Sequence, residues 1–227
     1  MVCMDTIENY ASRSVHRKPS ELQQFIRSRR STRRFKPDRI SESVLEEILR
    51  TAASAPSAHN RQPWRLEVVL KKSVKMQLAE AMGEEFKKDL EYDNVPPDEM
   101  KKKINRSRNQ IMQAPVVVLL CLDRQELKKF PDELRSRAEY LSATQSVANA
   151  GMLLLLAAHA EGMGGVWICS PLFAQNSVRQ VLALPDTWDP QALFLLGYPH
   201  ESPRQKTVKS IGQFVRFMRD DPELASP

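Results

Sequence analysis

The pattern of apolar and polar positions along the 227 residues predicts several helices and four short strands. Apolar residues recur at helical spacing in five stretches, 20–30, 41–55, 74–113, 133–161 and 176–182. A proline pair at 96–97 divides the third stretch into two helices. Strand patterns occupy 65–70, 116–122, 166–169 and 191–196. The chain is therefore predicted to form one α+β domain over 1–227, with many helices around a few core strands.

Two of these patterns predict where the core lies. The run 116–122 is continuously apolar and rich in β-branched residues, as expected of a strand covered on both faces. The helix 133–161 carries small residues at many positions of its second half, and almost every face there is apolar. This pattern predicts a central helix that is buried all round.

Capping residues define the two N-terminal helices. Ser20 stands three residues before Gln23, the spacing of a capping box, and Ser41 begins the apolar period of the second helix. Pro56 ends that second helix and opens a polar loop that runs to Trp64.

Composition and charge narrow the function classes. Apolar residues make up 41% and charged residues 27%, as in a globular protein, and the net charge of +6 with a pI near 9.3 indicates an anionic partner. That partner is nucleic acid, a membrane surface or a small anionic molecule. The basic residues are scattered, with no zinc-finger spacing or aromatic RNA-binding pattern, which disfavours nucleic acid. The longest apolar run, 150–160, is too short to span a bilayer.

The three cysteines do not form a disulfide framework. Cys3, Cys121 and Cys169 are odd in number and widely spaced. We therefore expect a reducing, cytoplasmic setting.

The densest cluster of candidate chemistry is the stretch 29–35, Arg-Arg-Ser-Thr-Arg-Arg-Phe. Arg29 and Arg33 are four residues apart, as are Arg30 and Arg34, so each pair would point one way on a helix or at its end. Guanidinium groups beside hydroxyls suit a phosphate. The alternative is a solvated basic surface, and the stretch alone does not decide between the two.

The remaining residues offer little catalytic chemistry of their own. The four histidines show no metal-ligand spacing, and there is no nucleophile-elbow motif. The glycines at 162–165 precede a strand and match neither a Walker A loop nor a dinucleotide fingerprint, so Gly164 and Gly165 form either a tight turn or a ligand site. An enzyme without its own acid, base or metal takes its chemistry from a cofactor. The sequence thus predicts either such an enzyme or a protein that only binds the cofactor.

The order of the motifs resembles one family. Six features follow the first helix in a fixed order. They are Arg-Arg-Ser-x-Arg-x-Phe, then Ala-Pro-Ser-x-x-Asn-x-Gln-Pro-Trp, a long alanine- and leucine-rich helix, Gly-x-Gly-Gly-x-Trp-Ile, Leu-Pro and finally Leu-Gly-Tyr-Pro. This order resembles the nitroreductase family of FMN-dependent oxidoreductases, over about residues 25–210. Within that family, the segments from Phe130 and from Leu184 are similar to the flavin domain of the enzyme that acts in coenzyme F420 biosynthesis.

The resemblance implies a phosphate site for FMN. In it, Arg29, Ser31 and Arg33 would contact the phosphate or ribityl chain, with Arg30 close by. A residue of the tail, Arg204 or Lys206, would supply a second phosphate contact, and Arg204 is the preferred match.

The resemblance also implies residues around the flavin ring. A loop of the other protomer would line the ring with Pro56, Ser57, Ala58, Asn60 and Gln62. Gly165 would let the main chain approach, and main-chain groups of Trp167, Ile168 and Cys169 or Ser170 would face the ring edge. Two structural alternatives stay open. In the first, Asn60 and Gln62 only form a capped turn that holds Trp64 in the core. Trp167 is equally a plain core aromatic.

The fold and activity that follow are those of the family. We expect a three-layer domain around a mainly antiparallel sheet, in an intertwined homodimer with FMN at the subunit interface. The segments 1–20 and 200–227 would be arms, and 74–113 a helical insertion and candidate lid, with solvated lysine-rich faces. NADH, NADPH or reduced F420 would donate two electrons, and an organic acceptor would receive them by ping-pong kinetics. The alternative is a flavin- or F420-binding protein without turnover.

Overall fold

The computed structural model describes residues 19–201 and 206–218. Almost all of the predicted N-terminal arm, and Arg204, lie outside these residues. The helices are α1 (Glu21–Ser28), α2 (Glu42–Ala53), α3 (Lys72–Tyr92), α4 (Pro97–Gln113), α5 (Glu133–Ala160) and α6 (Gln175–Val181). The strands are β1 (Trp64–Val69), β2 (Val116–Asp123), β3 (Gly164–Ile168) and β4 (Trp188–Gly197). Each element coincides with one predicted from the apolar pattern, to within a few residues.

The four strands form one antiparallel sheet in the order β1-β2-β4-β3. Strand β2 lies in the middle, between β1 and β4, and is buried along its whole length. Strand β3 lies at the edge, and its first residue, Gly164, pairs with Gly197 at the end of β4. This edge is where the candidate site is built.

Side-chain alternation along β2 and β4 divides the core into two layers. In β2, Val118 and Leu120 face one apolar cluster, whereas Val117 and Leu119 face the other. The first cluster includes residues of α2 and α5, and the second includes residues of α3, α4 and α6. Because successive side chains of a strand point to opposite faces, a continuously apolar strand requires helices on both sides. The predicted three-layer α+β fold is therefore confirmed.

Helices α3 and α4 occupy most of the predicted insertion 74–113. Leu78 and Met82 of α3 are buried in the second cluster, so α3 belongs to the core layer of the fold. Ile111 is the buried residue of α4, whose other faces are polar or only half-buried. A role of this region as a lid stays a prediction.

A buried lysine fixes the position of α4. Lys75, on α3, is only 6% exposed, and its Nζ donates to the carbonyl oxygens of Ala114 and Pro115, both at 2.7 Å. These carbonyls lie at the C-terminal end of α4, where main-chain acceptors lack helical partners. Burial lowers the pKa of Lys75. Lys75 therefore joins α3 to the junction between α4 and β2.

The capping predictions are confirmed, whereas one face of α5 is exposed in the single protomer. Ser20 and Gln23 form the capping box of α1, and the Ser41 side chain accepts from the Val44 amide. Within one protomer, helix α5 leaves Gln145, Asn149 and Met152 exposed, so its burial on every face depends on the expected homodimer and stays a prediction. Among the described residues, α5 alone is long and apolar enough to cross a membrane by length and composition. Half of its most apolar window is buried inside the fold, as expected of a core helix.

Candidate functional site

The basic segment 29–35 is extended and does not continue α1. The helix ends at Ser28, and Arg29 has an extended conformation, with φ −57° and ψ 135°. Ser31 forms a parallel bridge with Gly165, and Phe35 an antiparallel bridge with Pro199. The predicted pairing of arginines at helical spacing is therefore wrong. Main-chain bonds to the sheet edge replace helical bonds in this segment.

Thr32 holds the basic segment against β3. Thr32 is only 6% exposed and packs against Gly164, and its amide donates to the Gly165 carbonyl at 3.0 Å. The residues of this segment from Arg29 to Arg34 line a cavity, and they include Arg29, Ser31 and Arg33. These are the three residues that the resemblance assigns to the phosphate or ribityl chain.

The basic segment forms one wall of a large open cavity of about 1110 Å³. The predicted residues Arg29, Arg30, Ser31, Arg33 and Lys206 all line it. The other lining residues are polar too, namely Thr32, Arg34, Lys102, Asn105, Arg106, Asn109, Gln110, Gln113 and Glu201. The cavity is therefore lined by seven cationic side chains and one carboxylate, with no aliphatic or aromatic side chain among its described lining residues.

Two of the arginines in this wall already have partners within the protein. Arg30 donates through Nη1 to the carbonyl oxygens of Arg27 and of Arg29, the latter at 2.8 Å, at the C-terminal end of α1. Arg34 forms an exposed ion pair with Glu201 at 3.6 Å.

The other five cationic side chains have no carboxylate partner among residues 19–201 and 206–218. They are Arg29, Arg33, Lys102, Arg106 and Lys206. The cavity thus presents cationic donors that an anionic ligand can satisfy.

A smaller cavity of about 180 Å³ adjoins the first, since Arg29, Arg30 and Thr32 line both. His159, in the last turn of α5, lies in its wall, 2.7 Å from the Ser28 hydroxyl through Nε2, and stacks on Phe25. Burial, and then the charge of Arg29, lowers the pKa of His159. The imidazole therefore stays neutral to a lower pH than an exposed histidine does.

The glycines of β3 serve packing within the protein. A Cβ atom on Gly164 would lie 2.5 Å from both Cβ and Oγ1 of Thr32, and one on Gly165 would lie 2.7 Å from Leu196. These glycines let the basic segment and the core approach β3. The glycines thus allow two parts of the protein to pack closely. The sequence instead suggests that Gly165 lets the main chain approach a flavin ring. Gly165 nevertheless lines the smaller cavity.

The residues at the end of β3 lie outside both cavities. Trp167 packs edge-on against Phe194, with ring centroids 4.9 Å apart, so it contributes to the core as its structural alternative predicts. Ile168 is half-buried and Cys169 is exposed. The Ser170 hydroxyl is buried and has no hydrogen-bond partner among the described residues. That these main-chain groups face a flavin ring stays a prediction.

The loop 56–62 lies against α5 and lines neither cavity. The Ala58 amide donates to Oγ of Ser146 at 3.1 Å, and Asn149 donates to the Pro56 carbonyl at 3.4 Å. Oγ of Ser57 accepts from the Gln62 amide at 3.0 Å, and Trp64 is buried, so the capped-turn interpretation is also correct.

The backbone of this loop is unusual. His59, Asn60 and Gln62 all have φ near +50°, in the left-handed region. Strained backbone of this kind concentrates at functional sites. The side chains of Asn60 and Gln62 are exposed and remain available to a ligand.

The polar face of α4 is the part of the site that the sequence interpretation missed, because it assigned the lysine-rich faces of 74–113 to solvent. The spacing of the α4 lining residues, three or four apart from 102 to 113, is a helical stripe that is visible in the sequence. Only the fold shows that this stripe faces the basic segment. Among the described residues, no group of three or more His, Cys, Asp or Glu side chains is arranged to hold a metal ion.

Comparisons with known proteins agree with this fold and motif order. The family model described as "Nitroreductase family" matches residues 26–198, more than half of the chain. The Bacillus subtilis protein YfhC, which carries the name of an NAD(P)H nitroreductase, is 29% identical over 187 residues, or 82% of this chain and 89% of its own.

Solved structures share the fold. A BluB-like flavoprotein from Clostridium difficile superposes with a TM-score of 0.74 at 24% identity, covering 88% of this chain and 100% of its own. A Desulfovibrio desulfuricans protein solved in complex with FMN gives a TM-score of 0.68 at 22% identity, covering 89% and 99%. The basic segment on the sheet edge, the loop before β1 and the glycines of β3 all fall within the matched range. The chain belongs to the nitroreductase family.

Proposed function

We propose that this protein is a cytoplasmic FMN-dependent oxidoreductase that moves two electrons from a reduced nicotinamide to an organic acceptor. The observation that supports the proposal is the basic segment on the edge of β3, whose Arg29, Ser31 and Arg33 line a cationic cavity. Family membership and the name of YfhC support the same class of reaction.

The described residues fit the phosphate end of FMN. A phosphomonoester carries close to two negative charges and several acceptor oxygens, which forked guanidiniums and hydroxyls satisfy. Arg29, Ser31, Arg33 and Lys206 supply such donors around one cavity, with Arg30 beside them. Its uniformly polar lining suits the phosphate and the ribityl hydroxyls. Of the two tail candidates, Lys206 lines the cavity and Arg204 lies outside the described residues, and we propose that one of them supplies the tail contact.

The flavin ring requires a different surface, because a flat, largely apolar ring is poorly matched to a cavity lined only by polar side chains. We assign it to the main chain of Gly165, Trp167, Ile168 and Cys169 or Ser170, together with the loop of a second protomer. That loop contributes Pro56, Ser57, Ala58, Asn60 and Gln62. Its unusual backbone and exposed amide side chains support this assignment.

A homodimer follows from the uncovered face of α5. Met152 and Leu141 are 39% and 52% exposed and lie about three helical turns apart, so both are on the same side of this long helix. Asn149, on the exposed side of α5, donates to the Pro56 carbonyl, so the loop 56–62 borders this face. A partner seated on α5 would therefore bring its own loop to the interface, where FMN would lie.

The protein's contribution to the reaction is binding and orientation. When bound, FMN supplies reversible two-electron chemistry that no amino-acid side chain here can supply. The donor and the acceptor would use the same open face in turn, which predicts ping-pong kinetics. We assign no side chain the role of general acid or base.

Flavin loading and anaerobic reduction test the proposal. Purified protein should bind FMN in about one copy per chain, and NADH or NADPH should bleach it rapidly without oxygen. Protein that takes up no FMN would refute the proposal. A bound flavin that no nicotinamide reduces would indicate a binding protein, or a deazaflavin donor if reduced F420 bleaches it.

Paired variants test the phosphate assignment. Arg29→Gln combined with Arg33→Gln should weaken FMN binding by about tenfold to a hundredfold, because charge-assisted bonds are lost. The control Arg39→Gln removes one exposed charge outside both cavities and should leave FMN affinity unchanged. Equal affinity in the double variant and the wild type would exclude this phosphate site.

A further inference from the structure

The α4 side of the large cavity is a second cationic wall. Lys102, Asn105, Arg106, Asn109, Gln110 and Gln113 line it and form one helical stripe. With a rise of about 1.5 Å per residue, this stripe extends for roughly 16 Å along the cavity. Its N-terminal half holds both cationic residues, Lys102 and Arg106, together with Asn105, and its C-terminal half holds only amides. It faces the segment that we assign to the FMN phosphate.

Charge balance shows that one phosphate does not satisfy this cavity. Five cationic side chains have no carboxylate partner among the described residues, and an FMN phosphate carries at most about two negative charges. Arg29, Arg33 and Lys206 are assigned to that phosphate, so Lys102 and Arg106 retain their charge. A second anionic group would complete the balance.

The size of the cavity leads to the same conclusion. Sites for one small molecule typically occupy about 300–1,000 Å³. The cavity of about 1110 Å³ exceeds this range, although it is lined by polar residues that suit only the phosphate and ribityl part of FMN. Room therefore remains along α4 for a second polar, anionic group.

We propose that Lys102 and Arg106 of α4, with Asn105 and Asn109, bind the 2′-phosphate and ribose of NADPH, so that the enzyme selects NADPH over NADH. The inference rests on the proposed function, which requires a reduced nicotinamide donor. The two natural donors differ by a single phosphomonoester on the adenosine ribose. Guanidinium and ammonium groups recognise that phosphomonoester, and side-chain amides pair with ribose hydroxyls.

The test compares a double variant with a control of equal charge change. Lys102→Gln with Arg106→Gln removes the proposed contacts. Lys101→Gln with Arg39→Gln removes the same charges from exposed positions that line neither cavity. FMN content and affinity are measured first for each protein. Steady-state kcat/KM is then measured with NADPH and with NADH, and calorimetry measures the binding of adenosine 2′,5′-bisphosphate to the FMN-loaded protein.

The wild type should have a higher kcat/KM with NADPH than with NADH. In the Lys102/Arg106 variant the ratio of these two kcat/KM values should fall about tenfold, as expected for the loss of two exposed charge contacts. Its efficiency with NADH and its FMN affinity should stay at the wild-type value. Binding of adenosine 2′,5′-bisphosphate should weaken by a similar factor. It should also weaken in wild-type protein as salt is raised, since exposed charge attraction is screened. The control variant should match the wild type in every measurement.

Three outcomes would overturn the inference while leaving the proposed function intact. One is a flavin-loaded, reducible wild type with equal efficiency for NADPH and NADH. Another is a Lys102/Arg106 variant with an unchanged NADPH/NADH ratio and unchanged bisphosphate binding. The third is an effect of that variant confined to a phosphorylated acceptor, which would assign the wall to the acceptor. Failure to take up FMN would instead refute the proposed function.

Discussion

The basic segment packs on the sheet through a close contact between Thr32 and Gly164. The substitution Gly164→Ala should disrupt this contact. The added methyl carbon would lie 2.5 Å from both Cβ and Oγ1 of Thr32. Ordinary contact begins at about 3.4 Å, so Thr32 would have to retreat by about 0.9 Å. Its amide donates to the Gly165 carbonyl at 3.0 Å, and a retreat of this size would take that bond beyond normal hydrogen-bond length.

The expected change in the free energy of unfolding is the cost of overpacking minus a smaller stabilising effect of alanine. Insertion of a methyl group into a packed site costs about 1–3 kcal/mol. Alanine offsets about 0.4–1 kcal/mol of this by restricting the unfolded chain. We therefore expect the free energy of unfolding to fall by about 1–2 kcal/mol. FMN affinity should fall roughly tenfold, because Arg29, Ser31 and Arg33 move with the segment.

Urea denaturation and FMN titration measure the two effects, and a compensating variant tests their cause. Thr32→Gly removes Cβ, Oγ1 and Cγ2, the three atoms that the new methyl would meet. The double variant Gly164→Ala with Thr32→Gly should therefore recover part of the stability and affinity, giving a coupling energy of about 0.5–3 kcal/mol. Gly212→Ala is the control, since nothing lies within 4 Å of its added Cβ.

Two results would refute this reasoning. Wild-type stability and FMN affinity in Gly164→Ala would show that the segment is not held against β3 at this point. Strictly additive effects in the double variant would show that Thr32 is not the obstructing residue.

Three further predictions concern other parts of the fold. Lys75→Met should lower the free energy of unfolding by about 1–3 kcal/mol in urea denaturation, because the buried carbonyls of Ala114 and Pro115 lose their donor. Burial lowers the native pKa of Lys75, so wild-type stability should rise with pH between that lowered pKa and the unfolded value of 10.5. This rise should be absent in Lys75→Met. An identical dependence of stability on pH in both proteins would contradict the prediction. The native pKa of His159 is also lowered, so stability should decline as pH falls from 6.5 towards the native pKa, and thermal melting should show no such decline in His159→Gln. Met152→Arg should convert the dimer to a monomer in sedimentation or light scattering, because it places a charge on the exposed apolar face of α5; a wild-type monomer would exclude the proposed interface.

Several features of this protein were determined by the sequence alone. The continuous apolar run 116–122 required helices on both faces of the sheet, since both sets of its alternating side chains had to be buried. Ser20 and Ser41 marked the helix starts, because each supplies the acceptor that the first turn lacks. The order of the motifs was sufficient to indicate the family, which the family match confirmed.

Tertiary structure decided how the site is assembled. Local spacing placed Arg29 and Arg33 together as a helical pair, but main-chain bonds to β3 made the segment extended and set it along the wall of the large cavity. Composition made α5 apolar on every face, yet only packing showed which face the chain leaves uncovered. The polar stripe of α4 could be read as solvated until the fold placed it opposite the basic segment, more than sixty residues away along the chain. Helical and strand periods are local and can be read from neighbouring residues, whereas the meeting of two polar surfaces depends on long-range packing that no local pattern records.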